Sequence, residues 1–209
     1  MVTNAGRAAL MKHMADANRL QPESIDNAVQ KQRKGFTLVE IAMASAVLTI
    51  AAGGLMSSIV ASMALTRVNN ETSLAQTYAR RAIENMQGVD FANIFRTFNA
   101  DPDDDVAGVG TGAGANFQVF GLEPLTTDAD GMPGEISFPS IVVGGVEQLR
   151  ENVDDPALGM PRDLNGDGLP IDALNHAADY RVLPVRVRVQ WRGAVGPRTI
   201  TVETLLTSR

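Results

Sequence analysis

The chain has 209 residues, room for one ordinary domain and an accessory segment, with 18 basic and 24 acidic residues and a formal net charge of −6. It contains no cysteine, which excludes disulfides, thiol catalysis and cysteine metal sites. A hydrophobic content of 44% excludes a chain disordered throughout and a polytopic membrane protein.

Residues 1–35 form a polar opening segment, with helix-forming character around Ala8–Asn18 and a break at Pro22. Six basic residues (Arg7, Lys12, Arg19, Lys31, Arg33, Lys34) stand there against three acidic ones (Asp16, Glu23, Asp26). Beyond Gly35 all twelve basic residues are Arg, and 21 acidic residues oppose them, a net of −9. So acidic a body lacks the clustered positive charge that nucleic acid binding needs, and no nucleic acid partner is expected.

From Ile41 to Thr66 no charged residue occurs for 26 positions. About 20 apolar residues in a helix cross a bilayer core, so this stretch is long enough. Basic residues on its N-terminal flank favour leaving that flank in the cytoplasm. An ordinary cleaved signal peptide fits poorly, because the apolar run is too long and begins too late. The predicted helix continues past the membrane edge. Val68, Ala75, Ala79, Ala82, Ile83 and Met86 keep helical spacing, while Arg80, Arg81, Glu84 and Asn85 take the other face. Gly88 is the first plausible stop, and a helix from Phe36 to Gln87 is about 78 Å long at about 1.5 Å per residue. Its outer half must bury its apolar stripe against a soluble domain.

At Asp101 the composition changes to an acidic, then Gly-rich run, a loop by its local signals. Strand patterns follow at Asn116–Leu122, Glu135–Val143, Tyr180–Trp191 and Arg198–Leu206. In the third, Val185, Val187, Val189 and Trp191 alternate with Arg186, Arg188 and Gln190, giving one buried and one wet face. The turn RGAVGP joins it to the fourth, where Ile200, Val202 and Leu206 share the buried face. A polar loop of roughly 144–179 separates the strand pairs, long for a compact domain. The fold class predicted is α+β: a long N-terminal helix, transmembrane in its first half, packed on a small antiparallel sheet.

The junction reads Lys34-Gly35-Phe36-Thr37-Leu38-Val39-Glu40-Ile41. Gly35 leaves a peptide bond unobstructed. Glu40 is the single charge from Phe36 through Thr66, and a carboxylate in hydrocarbon costs about 2.5–3.5 kcal/mol. This octet resembles the prepilin signature of the type IV pilin and type II secretion pseudopilin superfamily. The resemblance covers residues 31 to about 65. It implies that a prepilin peptidase cuts between Gly35 and Phe36, and that Phe36 is then N-methylated. It also implies that Glu40 meets the Phe36 amine in its own or a neighbouring subunit during filament assembly. Two unit charges at 4 Å attract by about 4 kcal/mol at an effective dielectric of 20, enough to offset the burial. The implied organisation is a leader over 1–35, a transmembrane and assembly helix over 36–66, an amphipathic extension over 67–100, and an extracytoplasmic sheet domain with acidic loops over 101–209. The implied partners are the peptidase, other pilin or pseudopilin subunits, an inner-membrane assembly platform and the membrane. The implied location is the inner membrane, single-pass with the N-terminus cytoplasmic, and the role is structural rather than enzymatic.

Several features depart from the family. The leader is longer than in many pilins, the disulfide of many major pilins is impossible, and the membrane helix lacks Pro, where Gly53-Gly54 supplies flexibility instead. The strand ending in Trp191, a turn and a Thr-rich last strand are similar to minor pilins and minor pseudopilins. The alternative reading is a single-pass anchored enzyme or ligand-binding domain that carries the motif by accident.

Asp163-Leu164-Asn165-Gly166-Asp167-Gly168 has oxygens at positions 1, 3 and 5 and glycine at 6, as at the start of a calcium loop. Position 12 is Leu174 instead of an acid, and Asp172 would serve only in a different geometry. The run fits either a calcium site of Asp163, Asn165, Asp167 and Asp172 or a solvated Asp/Gly turn. No cofactor is required; calcium is the one candidate. Asp101, Asp103, Asp104 and Asp105 form a weaker acidic cluster, as do Asp128, Asp130 and Glu135. Gly108, Gly110, Gly112 and Gly114 read as a flexible loop, and His176 has no partner pattern for catalysis. Trp191, Phe117, Phe120 and Phe138 read as core.

Overall fold

The computed structural model describes residues 35–169 and 172–208. The basic leader with Lys31, Arg33 and Lys34 lies outside the described residues. The chain divides into two compact units, residues 1–56 and 57–209. One helix, α1 (Leu38–Gln87), supplies segments to both.

In the first unit α1 begins where Thr37 caps it. The Glu40 N–H donates to Thr37 Oγ1 at 3.2 Å, and the Ile41 N–H donates to the Thr37 carbonyl at 3.1 Å. Every residue from Leu38 to Met56 is exposed, large apolar ones included.

The second unit contains the core. Here α1 buries Ala75, Ala79, Ala82 and Met86, at steps of four, three and four residues, which is one helical stripe. Alanine on that stripe lets the helix backbone approach what it packs on. The helix stops at Gly88, whose N–H donates to the carbonyls of Glu84 and Asn85. A short 3₁₀ turn (Phe91–Asn93) and α2 (Ile94–Phe98) follow, and α2 buries Ile94, Phe95 and Phe98.

The strands are β1 (Asn116–Phe117), β2 (Gly134–Ser137), β3 (Ser140–Val143), β4 (Val146–Leu149), β5 (Val182–Gly193) and β6 (Gly196–Thr207). One antiparallel sheet has the order β1-β2-β5-β6, and β3 and β4 make a separate hairpin. The predicted hairpin of the last two strands is present, with Val187 opposite Val202 and Val189 opposite Ile200. Val185, Val187, Val189 and Trp191 are buried while Arg186, Arg188 and Gln190 are half-exposed, as their alternation requires. Leu206 is buried, and Ile200 and Val202 pack partly buried against the same core. The fold is thus α+β, a long apolar helix packed on a small antiparallel sheet.

Four sequence expectations need correction. The strand expected over 116–122 pairs only at Asn116 and Phe117. The strand expected over Glu135–Val143 is two strands in two sheets, divided at Phe138-Pro139. The chain leaves the first sheet there, and the Pro139 carbonyl accepts from the Arg150 N–H at 2.9 Å, just past β4 of the second hairpin. Phe120, expected in the core, is 75% exposed, because the chain leaves the sheet after Phe117. The loop over 144–179 is not bare: it contains β4 and a 3₁₀ turn (Pro156–Leu158), and it buries Leu149, Leu158, Met160 and Leu164.

Candidate functional sites

Among the described residues the junction at Gly35 and Phe36 is open: a Cβ placed on Gly35 would meet nothing within 4 Å, and Phe36 is 76% exposed. Glu40 is the third residue of α1, in its first turn, where its charge complements the partial positive charge of the helix end. Thr37 and Glu40 have the spacing of a capping box, and the Thr37 half of it is formed. Sequence reasoning assigned Glu40 to assembly alone and missed this helix-starting role, although the Thr-x-x-Glu pattern carried it. Beyond Glu40 the helix is long and apolar enough to cross a membrane, by length and composition.

Residues 30–56 match the family model for the prokaryotic N-terminal methylation motif. The chain carries a prepilin-type methylation motif. Such a motif fits the type IV pilin and pseudopilin superfamily and, with the apolar helix behind it, a membrane-anchored protein. It implies processing by prepilin peptidase and assembly with other pilin subunits. No match was found among the curated proteins or among the solved structures.

Away from the prepilin-type motif, the oxygen-bearing residues of the calcium-loop pattern have separate fates. Asp163 turns back on its own loop, its oxygens accepting from the N–H groups of Gly166 at 2.5 Å, Asp167 at 3.2 Å and Gly168 at 2.7 Å. These backbone donors, Gly168 foremost, hold the Asp163 carboxyl below the usual carboxylate range against a smaller opposing effect of desolvation. Asn165 Oδ1 accepts from the Asp167 N–H at 2.9 Å, and Asp167 Oδ1 accepts from the Leu169 N–H at 2.8 Å. Asp172 Oδ1 accepts from the Leu174 N–H at 2.7 Å. Asp163 and Asp167 come together with Glu151, one oxygen from each lying within 4.8 Å of the others; Asp172 is not in that group. Nothing in the sequence pattern pointed to Glu151. It lies twelve residues before Asp163 and is brought in when its Oε1 accepts from the N–H groups of Leu164 at 2.6 Å and Asn165 at 3.2 Å.

His176 is buried, with Nδ1 3.1 Å from Asp179 Oδ1 and Nε2 3.8 Å from Glu151 Oε2. The weaker acidic clusters are occupied in building turns. Asp101 accepts from the N–H groups of Asp103 and Glu147, and Asp105 from that of Gly112. A Cβ at Gly112 would lie 2.1 Å from Asp105 Oδ1 and 2.9 Å from the Thr97 carbonyl, so any larger residue there would have to displace the loop. Asp130 accepts from the Met132 N–H, and Glu135 pairs with Arg188. Phe138 and Trp191 are core residues, and Phe117 packs partly buried beside them.

Proposed function

We propose that this chain is a structural subunit of a type IV pilus or of a type II secretion pseudopilus. The observation that carries this reading is the junction itself. A prepilin-type motif runs without interruption into 26 uncharged residues of helix, all exposed. An apolar surface of that extent far exceeds the few hundred Å² that soluble monomers leave uncovered, so it needs lipid or other helices. The precursor inserts in the inner membrane with its leader cytoplasmic. Prepilin peptidase cuts between Gly35 and Phe36, and Phe36 becomes N-methylated. The 36–66 helix then leaves lipid for a bundle of like helices along a filament, where Glu40 pairs with a Phe36 amine. The residues from 67 onward form the extracytoplasmic part. The subunit works by assembly rather than catalysis.

Intact-mass measurement on protein from its native membrane tests the processing step. The expected mature chain begins at Phe36 and carries one added methyl group. Substituting Gly35 should block cleavage and, with it, entry into filaments. A mature chain that retains Lys31–Gly35 would sink the reading and favour a membrane-anchored binding or catalytic domain.

A further inference from the structure

Glu151 is a fully buried carboxylate that the fold leaves half satisfied. Its Oε1 accepts two backbone N–H groups, while its Oε2 has no hydrogen-bond partner. Removing a carboxylate from water without complete compensation is unfavourable by several kcal/mol, so such a group normally faces a cation. Among the described residues its one ion-pair partner is His176, whose Nε2 stands 3.8 Å away, beyond hydrogen-bonding reach and itself without a partner. No Arg ion pair of the described residues reaches this carboxylate.

Glu151 faces further negative charge. Asp163 and Asp167 each bring an oxygen within 4.8 Å of an oxygen of Glu151 and of each other. Three carboxylates repel at that spacing. Ligands sharing one ion at 2.3–2.6 Å can be at most about 5.2 Å apart, so the spacing is one a single cation would collect. We propose that Glu151, Asp163 and Asp167 bind one calcium ion, with Glu151 as the buried anchor that ties the 163–168 loop to the end of β4. The donor set is all oxygen, which selects a hard cation over zinc or copper. Its members come from a loop and from a residue in its own turn, a flexible set that suits calcium better than the strict octahedron of magnesium. The site stands whether or not the chain assembles into filaments.

The test is thermal melting and calorimetric titration of the full-length protein in detergent. Buffers contain calcium, magnesium, or a chelator alone. At a hundredfold excess over Kd, binding to the folded state raises stability by about 2.7 kcal/mol. For a chain of this size that is a rise in melting temperature of roughly 5–10 °C. Glu151→Gln and Asp167→Asn should each remove most of the rise, whereas Asp103→Asn, in the other acidic loop, should keep it. Should Glu151→Gln fail to fold, Asp167→Asn decides, because that residue is exposed and its loss leaves no buried group unpaired. Calcium without effect on the wild type overturns the site. A calcium response that survives Asp167→Asn overturns it too, as does an equal response to magnesium.

Discussion

At the scale of single residues, charge placement decides most of the behaviour. Glu40 suits the first turn of α1, and in the assembly proposed above it would also offer the Phe36 amine a partner in hydrocarbon. Glu40→Gln preserves the side chain's shape and its capping geometry but removes the charge. Insertion and cleavage should proceed, since insertion becomes easier by about 2.5–3.5 kcal/mol. Incorporation into filaments should fall severalfold, measured as the ratio of subunit in sheared filaments to subunit in membranes. Normal incorporation would refute the pairing. Asp155 gives a second residue-scale expectation. It caps the 3₁₀ turn at Pro156 and accepts two hydrogen bonds from Arg186, both at 2.8 Å. Those bonds hold its carboxyl below the usual range, with desolvation opposing them. A depressed folded value means that the stabilisation is present above the unfolded value near 3.9 and is lost as pH falls through the folded one. Asp155→Asn should therefore destabilise by about 1 kcal/mol at pH 7 in urea titrations. The gap should close as pH drops below about 4; a gap that stays constant down to pH 3 would contradict it.

At the scale of elements, the contact of α1 with the sheet depends on small residues. Ala79 is fully buried between Ala75 and Ala82 on the stripe, and Glu71 one turn before Ala75 accepts from Trp191 Nε1 at 3.3 Å. Ala79→Leu forces extra volume into that contact and should destabilise by roughly 1–3 kcal/mol. Thr77→Leu, on the exposed face of the same turn, should stay within about 0.5 kcal/mol. Equal effects of the two would mean that the helix is not docked along this stripe. The stripe and the β5–β6 hairpin were legible because each keeps one strict period, 3.6 for the helix and 2 for Val185 to Trp191. Strand β2 was legible as a strand but not in its length, since strand-forming residues continue on both sides of Phe138-Pro139 and no local signal shows that the chain changes sheets there. Phe120 was misread because an aromatic beside a strand pattern has no address of its own. Glu151 was illegible for a deeper reason: its burial follows from backbone donors at Leu164 and Asn165, and no local pattern encodes a contact across thirteen residues. The Asp163 loop, by contrast, announces itself, because Asp163, Asn165 and Asp167 each accept from a backbone N–H two to five residues on.

At the scale of the whole molecule, the two units answer to different solvents. The core cluster runs from Ala75 to Leu206, all within residues 57–209. Residues 38–56 bury nothing among the described residues, so they add no hydrophobic term to the folding of the second unit. Their apolar surface is that of a helix long and apolar enough to cross a membrane, and under the proposed role lipid covers it before assembly and like helices after it. The separation has a direct consequence. A fragment beginning at Arg67, without the leader and the exposed apolar segment, should be soluble without detergent and fold cooperatively. The first two turns of its helix, before Ala75, should fray, because an isolated helix end of that length is marginal in water. Its melting temperature should lie within about 3 °C of that of the full-length protein in detergent, a margin of roughly 1 kcal/mol for a chain of this size. Circular dichroism gives the transition, and amide exchange shows which part of the helix is protected. Protection should begin near Ala75 and include Ala79, Ala82 and the β5–β6 hairpin. A fragment that aggregates, or one that melts far below the full chain, would show that the segment before Arg67 contributes to folding and not only to assembly.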